Sequence, residues 1–318
     1  MIMKKHGVTA FCLANCLLSA VWACDTATGI NANLHGNRLF PADNPWNQPI
    51  DKKPVDAKSS SLINQIGTNV PLHPDFGANA YWDDGKPFGI PFIVVSGVTP
   101  KVPVTFDISD QSDPGPYPIP SNAPIEGGSH SKGDRHVLVL DQDHWKLYET
   151  WSSYPQADGS WKAGSGAVFN LTSNALRPAG WTSADAAGLP ILPGLVRYDE
   201  VYLQKAINHA IRFTVEQTRR AYVAPARHFA SSNTGTNLLP MGARLRLKAS
   251  YDISTFPAPA QVILKALKKY GMIVADNGGN LYISGTADSR WDDETLDTLK
   301  RVGNTDFEVV AMGAPTTK

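Results

Sequence analysis

The clearest periodic signal in the chain is a pair of alternating segments, His136-Val137-Leu138-Val139-Leu140-Asp141 and Trp145-Lys146-Leu147-Tyr148-Glu149-Thr150-Trp151, on either side of a polar turn at Gln142-Asp143. A period of two sends successive side chains to opposite faces of a strand, so the two segments predict a hairpin. With Asp141 opposite His144, the register sets Leu140 against Trp145, Leu138 against Leu147 and His136 against Glu149. A slip of one residue sets Arg135 against Glu149 instead. Strand text also runs from Pro91 to Ser96 and from Val102 to Asp107 around a Ser96-Gly97 turn signal, which predicts neighbouring strands. Further strands are expected at 166–170, 211–215, 220–224 and 242–250.

Helical periodicity is confined mainly to the C-terminal part. Gln261 to Tyr270 carries an apolar face, ends in Lys268 and Lys269, which suit the negative end of a helix dipole, and stops at Gly271. A second helix is expected from Asp292 to Val302, opened by acids and closed by Lys300 and Arg301 before Gly303. Between them, Met272 to Ala275 and Leu281 to Ser284 read as a hairpin across Asp276-Asn277-Gly278-Gly279-Asn280, and Phe307 to Ala311 as a last strand. From residue 40 to 128 proline and glycine are so frequent that only Ser59 to Ile66 has room for a helix. Many short strands with two or three short helices predict a mainly β protein, an antiparallel β-sandwich or jelly-roll-like fold. No linker or repeat divides residues 39–318, so they are read as a single β-rich domain.

Composition adds an address. Lys4 and Lys5 precede an apolar stretch, Ala10 to Ala23, which is too short to span a bilayer and ends in small residues, so residues 1–23 are expected to be a signal peptide. Cys12 and Cys16 then leave with the peptide, and Cys24 alone cannot form an internal disulfide. Val21-Trp22-Ala23-Cys24 resembles a bacterial lipobox, whose cysteine receives lipid. The polar tract 24–38 reads as a flexible N-terminal segment or tether. The protein is expected to be secreted or periplasmic, with a lipid anchor at Cys24 as the alternative, and monomeric with no transmembrane span. Lys+Arg 29 against Asp+Glu 29 leaves no basic field, which excludes nucleic acid as a partner.

The run Leu195-Val196-Arg197-Tyr198-Asp199-Glu200-Val201, the segment Ile207-Asn208-His209-Ala210-Ile211, the strand from Gly242 to Leu247 and the stretch from Ala266 to Gly279 together resemble a broad group of uncharacterised secreted bacterial β-rich proteins. In that pattern a glycine usually precedes the Ile-x-His-Ala segment, where Gln204 and Lys205 stand here. The resemblance implies bacterial secretion and one β-rich unit, and no activity.

Nucleotide, dinucleotide, serine-hydrolase and zincin motifs are absent, so the candidate chemistry lies in scattered polar residues. Glu126-Gly127-Gly128-Ser129-His130 leads to His136 and Glu149, where an imidazole and a carboxylate can meet at a sheet face as general acid/base work requires. A hydrogen bond that merely closes a hairpin is the structural alternative. His209 and Arg212, with Arg227 and His228, offer a base and cations that suit an acidic sugar, or else satisfied core histidines and a surface arginine. His130, His136, Glu149, His209 and His228 include ligand types for a transition metal, but their spacing does not group them, so no cofactor is assigned. Trp46, Tyr81, Trp82, Tyr117, Trp145, Trp151, Tyr154, Trp161 and Trp181 supply flat rings for stacking on sugars, or core filling.

These features lead to the expectation of a secreted carbohydrate-active enzyme that cleaves a polysaccharide or oligosaccharide, as a glycoside hydrolase or a polysaccharide lyase. Glu149, His136 and His209 are the expected catalytic groups, and Arg212, His228, His130, Glu126 and Trp151 the expected substrate contacts. Hydrolysis needs a second carboxylate, for which Glu126 and Glu200 are nominated. The alternative is a non-catalytic glycan- or protein-binding cell-envelope protein, anchored as a lipoprotein through Cys24.

Overall fold

A computed structural model describes residues 27–81 and 85–318. The expected signal peptide, Cys24 and Trp82 lie outside the described residues. In chain order, the strands of the two large sheets are β1 (Gly29–Ile30), β2 (His73–Asp75), β3 (Phe92–Val95), β4 (Val137–Asp141), β5 (Lys146–Trp151), β6 (Ser165–Asn170), β7 (Ile211–Val215), β8 (Arg244–Leu247), β9 (Met272–Asn277), β10 (Tyr282–Ser284) and β11 (Phe307–Val309). The helices are α1 (Ser59–Ile66), α2 (Ala258–Lys269) and the short α3 (Asp293–Asp297). The chain is thus mostly strands with few short helices. Among the described residues no helix is long and apolar enough to cross a membrane.

The five-stranded sheet has the order β1-β3-β4-β5-β6, and the six-stranded sheet the order β11-β8-β9-β7-β10-β2. Both are mixed. β3 runs parallel to β4, β7 to β9 and β10 to β2, while the remaining neighbours are antiparallel. Parallel neighbours need long crossovers. Between β3 and β4 irregular, proline-rich chain and a 3-10 turn serve where a helix is usual, which is why the sparse helices did not announce parallel pairs.

Alternation along β3 and β4 divides their side chains between two cores. Phe92, Val94, Leu138, Leu140 and Leu147 join a large cluster that continues through Phe213, Leu245, Ile263, Leu267, Ile283 and Val309. Ile93, Val95, Val137, Val139 and Tyr148 face the opposite way, against Val104, Tyr117 and Trp161. Glu149 follows the parity of Leu147 and therefore enters the large core.

Three pairings differ from the sequence expectation. The β4–β5 connection is a four-residue turn, with Leu140 opposite Leu147 and Leu138 opposite Glu149, so neither His136 nor Arg135 faces Glu149. The cause is local: Asp141 Oδ1 accepts the N–H groups of Asp143 and His144, its Oδ2 pairs with His144 Nδ1, and Trp145 turns the chain at φ 50°. Phe92–Val95 and Val104–Phe106 are not paired with each other; the latter lies in a separate three-stranded sheet beside Trp161–Ala163. The expected hairpin of β9 and β10 is split by β7, which inserts between them. The polar tract after residue 26 is docked: β1 pairs with β3, and Leu34 is fully buried. Helix α2 ends as its sequence predicts, with Gly271 at φ 68°, where an added Cβ would meet the Leu245 carbonyl at 2.2 Å.

Candidate functional site

The polar face of the six-stranded sheet carries the most concentrated chemistry. Asp75 on β2 lies opposite Ser284 on β10, and Thr214 on β7 is opposite both Tyr282 and Asp276. Ile283 and Phe213 belong to the large core, and Pro74, opposite Ile283, is buried. Alternation then sets Asp75, Ser284, Arg212 and Thr214 on the opposite face. Asp276 reaches that face through a bulge. Phe213 pairs with Val274 but Thr214 with Asp276, so one extra residue, Ala275, shifts the parity of β9.

Arg212 is only 5% exposed and its donors are occupied. Its Nε and Nη2 donate to the two oxygens of the fully buried Asp185, both at 2.8 Å, and its Nη1 donates to Ser284 Oγ at 2.7 Å. Asp276 Oδ2 lies 3.5 Å from Nη2. This is a bidentate, charge-assisted pair with a further acid beside it.

The other wall comes from the glycine-rich loop that leads into β4. Gly127 and Gly128 take φ 70° and 87°, a left-handed path that glycine adopts without a Cβ clash. Arg135, itself buried, gathers this loop by donating to the carbonyls of Gly128, Ser129, Ser131 and Ser153. Glu126 is thereby brought to His136, with Oε2 at 2.6 Å from Nδ1. His136 Nε2 donates to the Ala184 carbonyl at 3.1 Å. Burial opposes a charged imidazole, but the neighbouring Glu126 outweighs it and holds the His136 pKa up at about 9, so the imidazole is charged at neutral pH. One loop joins the two walls: His136 holds Ala184, Arg212 holds Asp185, and His228 Nδ1 lies 2.7 Å from the Ala186 carbonyl. Trp151, half-buried, donates through Nε1 to Asp134 at 3.0 Å.

Two carboxyls at this face are partly open to solvent and held away from their ordinary range. Burial pushes Asp276 up to about 7, with Asp185 adding to the shift and Arg212 opposing it. Burial likewise raises Asp75 to about 6, opposed by Arg212 and reinforced by Glu126 and Asp134. Acids in this range exchange protons readily near neutrality, as general acid/base chemistry requires.

The residues nominated from sequence divide between this site and other places. Glu126, His136, Arg212, His228 and Trp151 belong to it or to the shell that holds it. Glu149 is fully buried, and its oxygens accept the N–H groups of Ile191 at 3.0 and 2.9 Å and of Leu192 at 2.9 Å. Burial pushes its pKa up to about 7 against those bonds. Closed off from solvent, it anchors the turn at Leu192–Gly194. His209 lies in a separate cluster, with Nε2 at 3.1 Å from Glu200. His130 stands exposed on the glycine-rich loop. Trp46, Tyr117 and Trp161 are core residues, which removes them as stacking platforms. Among the described residues, no three His, Cys, Asp or Glu side chains are grouped as ligands for a metal ion.

Asp75, Asp185 and Asp276 escaped the sequence reading. Asp276 sits in text that reads as a turn, and only the bulge reveals its face. Asp75 follows a proline in a three-residue strand too short to show a period.

Comparisons of the chain with protein-family models, curated proteins and solved structures found no match.

Proposed function

We propose that the chain is a secreted or periplasmic enzyme that hydrolyses a polysaccharide, with Asp276 as proton donor and Asp75 as base. The carrying observation is the pair of part-exposed carboxyls, raised to about 7 and about 6, on one sheet face around the Arg212–Asp185 pair. Hydrolysis of a glycosidic bond asks for one protonated and one ionised carboxyl, and pKa values on either side of the working pH supply both. β10 and β7 intervene between β2 and β9, a backbone separation of about 14 Å, so the two carboxyls stand on either side of Arg212 and Ser284. Trp151, beside Asp134, supplies a ring to stack on a neighbouring sugar. The large core shared by the two main sheets supports reading the architecture as a sandwich-like single domain around this site.

A lyase reading draws less support. It needs a free cation for a uronate, whereas Arg212 is saturated by Asp185 and Ser284, and its proposed base His209 lies with Glu200. The test is to incubate the protein with neutral and acidic polysaccharides, following new reducing ends and the ultraviolet absorbance of unsaturated uronates. Reducing ends without absorbance support hydrolysis. Both signals together replace it with elimination, and silence across the panel overturns the enzyme in favour of a glycan- or protein-binding envelope protein.

A further inference from the structure

A second pocket lies apart from the carboxyl pair, at the turn that follows Arg197. Asp199–Gln204 forms a π-helical turn, a rare element that concentrates at functional sites because it is costly to keep. It closes on Lys205, a non-glycine residue at φ 54°. The turn presents Glu200 and Gln204 to a pocket that also receives Arg197, Phe40, Pro193 and Asn208.

Arg197 is 3% exposed, yet only part of its guanidinium is used. Nη2 donates to Glu200 Oε1 at 2.7 Å, while Nε and Nη1 have no hydrogen-bond partner. Gln204 donates through Nε2 to Asn33 at 3.2 Å, but its buried Oε1 accepts from nothing. Two donors and an acceptor left unpaired on residues that line one pocket are costly unless ligand groups complete them. Hydroxyl groups suit both, since each can accept and donate.

Charge narrows the class. Asp199 Oδ1 is 3.6 Å from Arg197 Nε and Glu200 is bonded to the same guanidinium, so two acids already offset its charge and an anion gains little. Burial pushes Glu200 up, but Arg197 and His209 overcome it and hold the carboxyl below its ordinary range, so it stays ionised. Phe40 and Pro193 give the pocket an apolar surface that suits the C–H face of a sugar ring.

We infer that the Arg197–Gln204 pocket is a binding site for a neutral sugar unit, with hydroxyls accepting from Arg197 and donating to Gln204. Neither Asp75 nor Asp276 lines it, so it is distinct from the proposed hydrolytic site. It retains a glycan on the protein whether or not that glycan is cut.

The test is a binding titration followed by NMR on the full chain carrying Asp276→Asn, which separates binding from turnover. D-glucose, D-galactose and N-acetyl-D-glucosamine are titrated singly, with D-glucuronate, inorganic phosphate and a glycine-serine peptide as contrasts. At least one neutral sugar is expected to bind with a dissociation constant on the order of 1 mM and to shift the His209 imidazole signals. Gln204→Ala, a partly exposed position that folding tolerates, is expected to weaken that binding about tenfold by removing the acceptor. Absence of any neutral-sugar binding up to about 100 mM, tighter binding of phosphate, glucuronate or the peptide, or an unchanged affinity in Gln204→Ala each overturns the inference. Failure of the hydrolytic reading is seen separately, as silence of the wild-type chain in the reducing-end assay.

Discussion

Burial raises both Asp276 and Asp75, and Asp185 raises Asp276 further. Asp276 has the fully buried Asp185 as a close negative neighbour and rises to about 7, whereas Asp75 rises to about 6. In the proposed hydrolysis the carboxyl that keeps its proton to higher pH, Asp276, would donate, and Asp75 would accept. Activity is therefore expected to follow a bell-shaped pH profile centred between about 6 and about 7. Asp276→Asn and Asp75→Asn are each expected to lower kcat by about 10²–10⁴-fold, and Asp75→Asn to flatten the acid limb. A profile in which both variants keep both limbs would reject the assignment. Glu149→Ala tests the contrasting role. Removing the carboxylate leaves the buried N–H groups of Ile191 and Leu192 without acceptors, so a stability loss of about 2–4 kcal/mol is expected in denaturant unfolding. Because Glu149 touches no solvent, the pH limbs of activity in the folded variant should stay where they were.

At the scale of elements, local irregularities build the sites. The bulge at Ala275 turns Asp276 onto the Arg212 face; without it, strict alternation would send that carboxyl into the core. The π-helical turn ends on Lys205, a residue with a Cβ held at φ 54°. Lys205→Gly is accordingly expected to stabilise the fold by about 0.5–1 kcal/mol in thermal or chemical unfolding, by relieving the left-handed strain of a residue with a Cβ. An unchanged or lower midpoint would mean that the lysine side chain contributes more than its backbone costs. These irregularities also mark where the sequence stops being readable. Strands at 211–215 and 307–309, helix α1 and the stop of α2 at Gly271 follow from period and capping, which are local. The insertion of β7 between β9 and β10, the parallel pairs and the bulge depend on contacts between distant segments and leave no local period. The site was legible in the same measure: Glu126, His136 and Arg212 carry uncommon chemistry in strand text, whereas Asp75, Asp185 and Asp276 resemble ordinary loop acids until the sheet gathers them.

For the whole molecule, the gathered acids set the pH dependence of stability. Asp75, Asp276 and Glu149 have pKa values raised to about 6, 7 and 7, with Arg212 beside Asp75 and Asp276 and His136 beside Glu149 as opposing cations. An acid whose pKa is higher folded than unfolded binds its proton more tightly in the native state. Its stabilising contribution is complete below the unfolded value near 4 and is lost as pH climbs through the folded value. His136 adds a loss of the same sign, since its folded value of about 9 lies above the unfolded value near 6.5. Glu200 acts oppositely: its lowered pKa gives stability that disappears as pH falls through the folded value. Thermal midpoints are therefore expected to be highest near about pH 4 and to decline toward about pH 9. Asp276→Asn removes one of the acids that cause the decline. It should gain on the order of 2 kcal/mol at about pH 8 over the wild-type chain, less than the full shift implies because 26% of the side chain is in water. Below about pH 4, where this carboxyl is protonated in both states, the two proteins should be nearly equal. A gain at high pH together with lost turnover in one variant would show that the molecule gives up stability to keep this carboxyl protonatable, while a wild-type midpoint that rises from about pH 5 to about pH 8 would contradict both the buried-acid balance and the role assigned to Asp276.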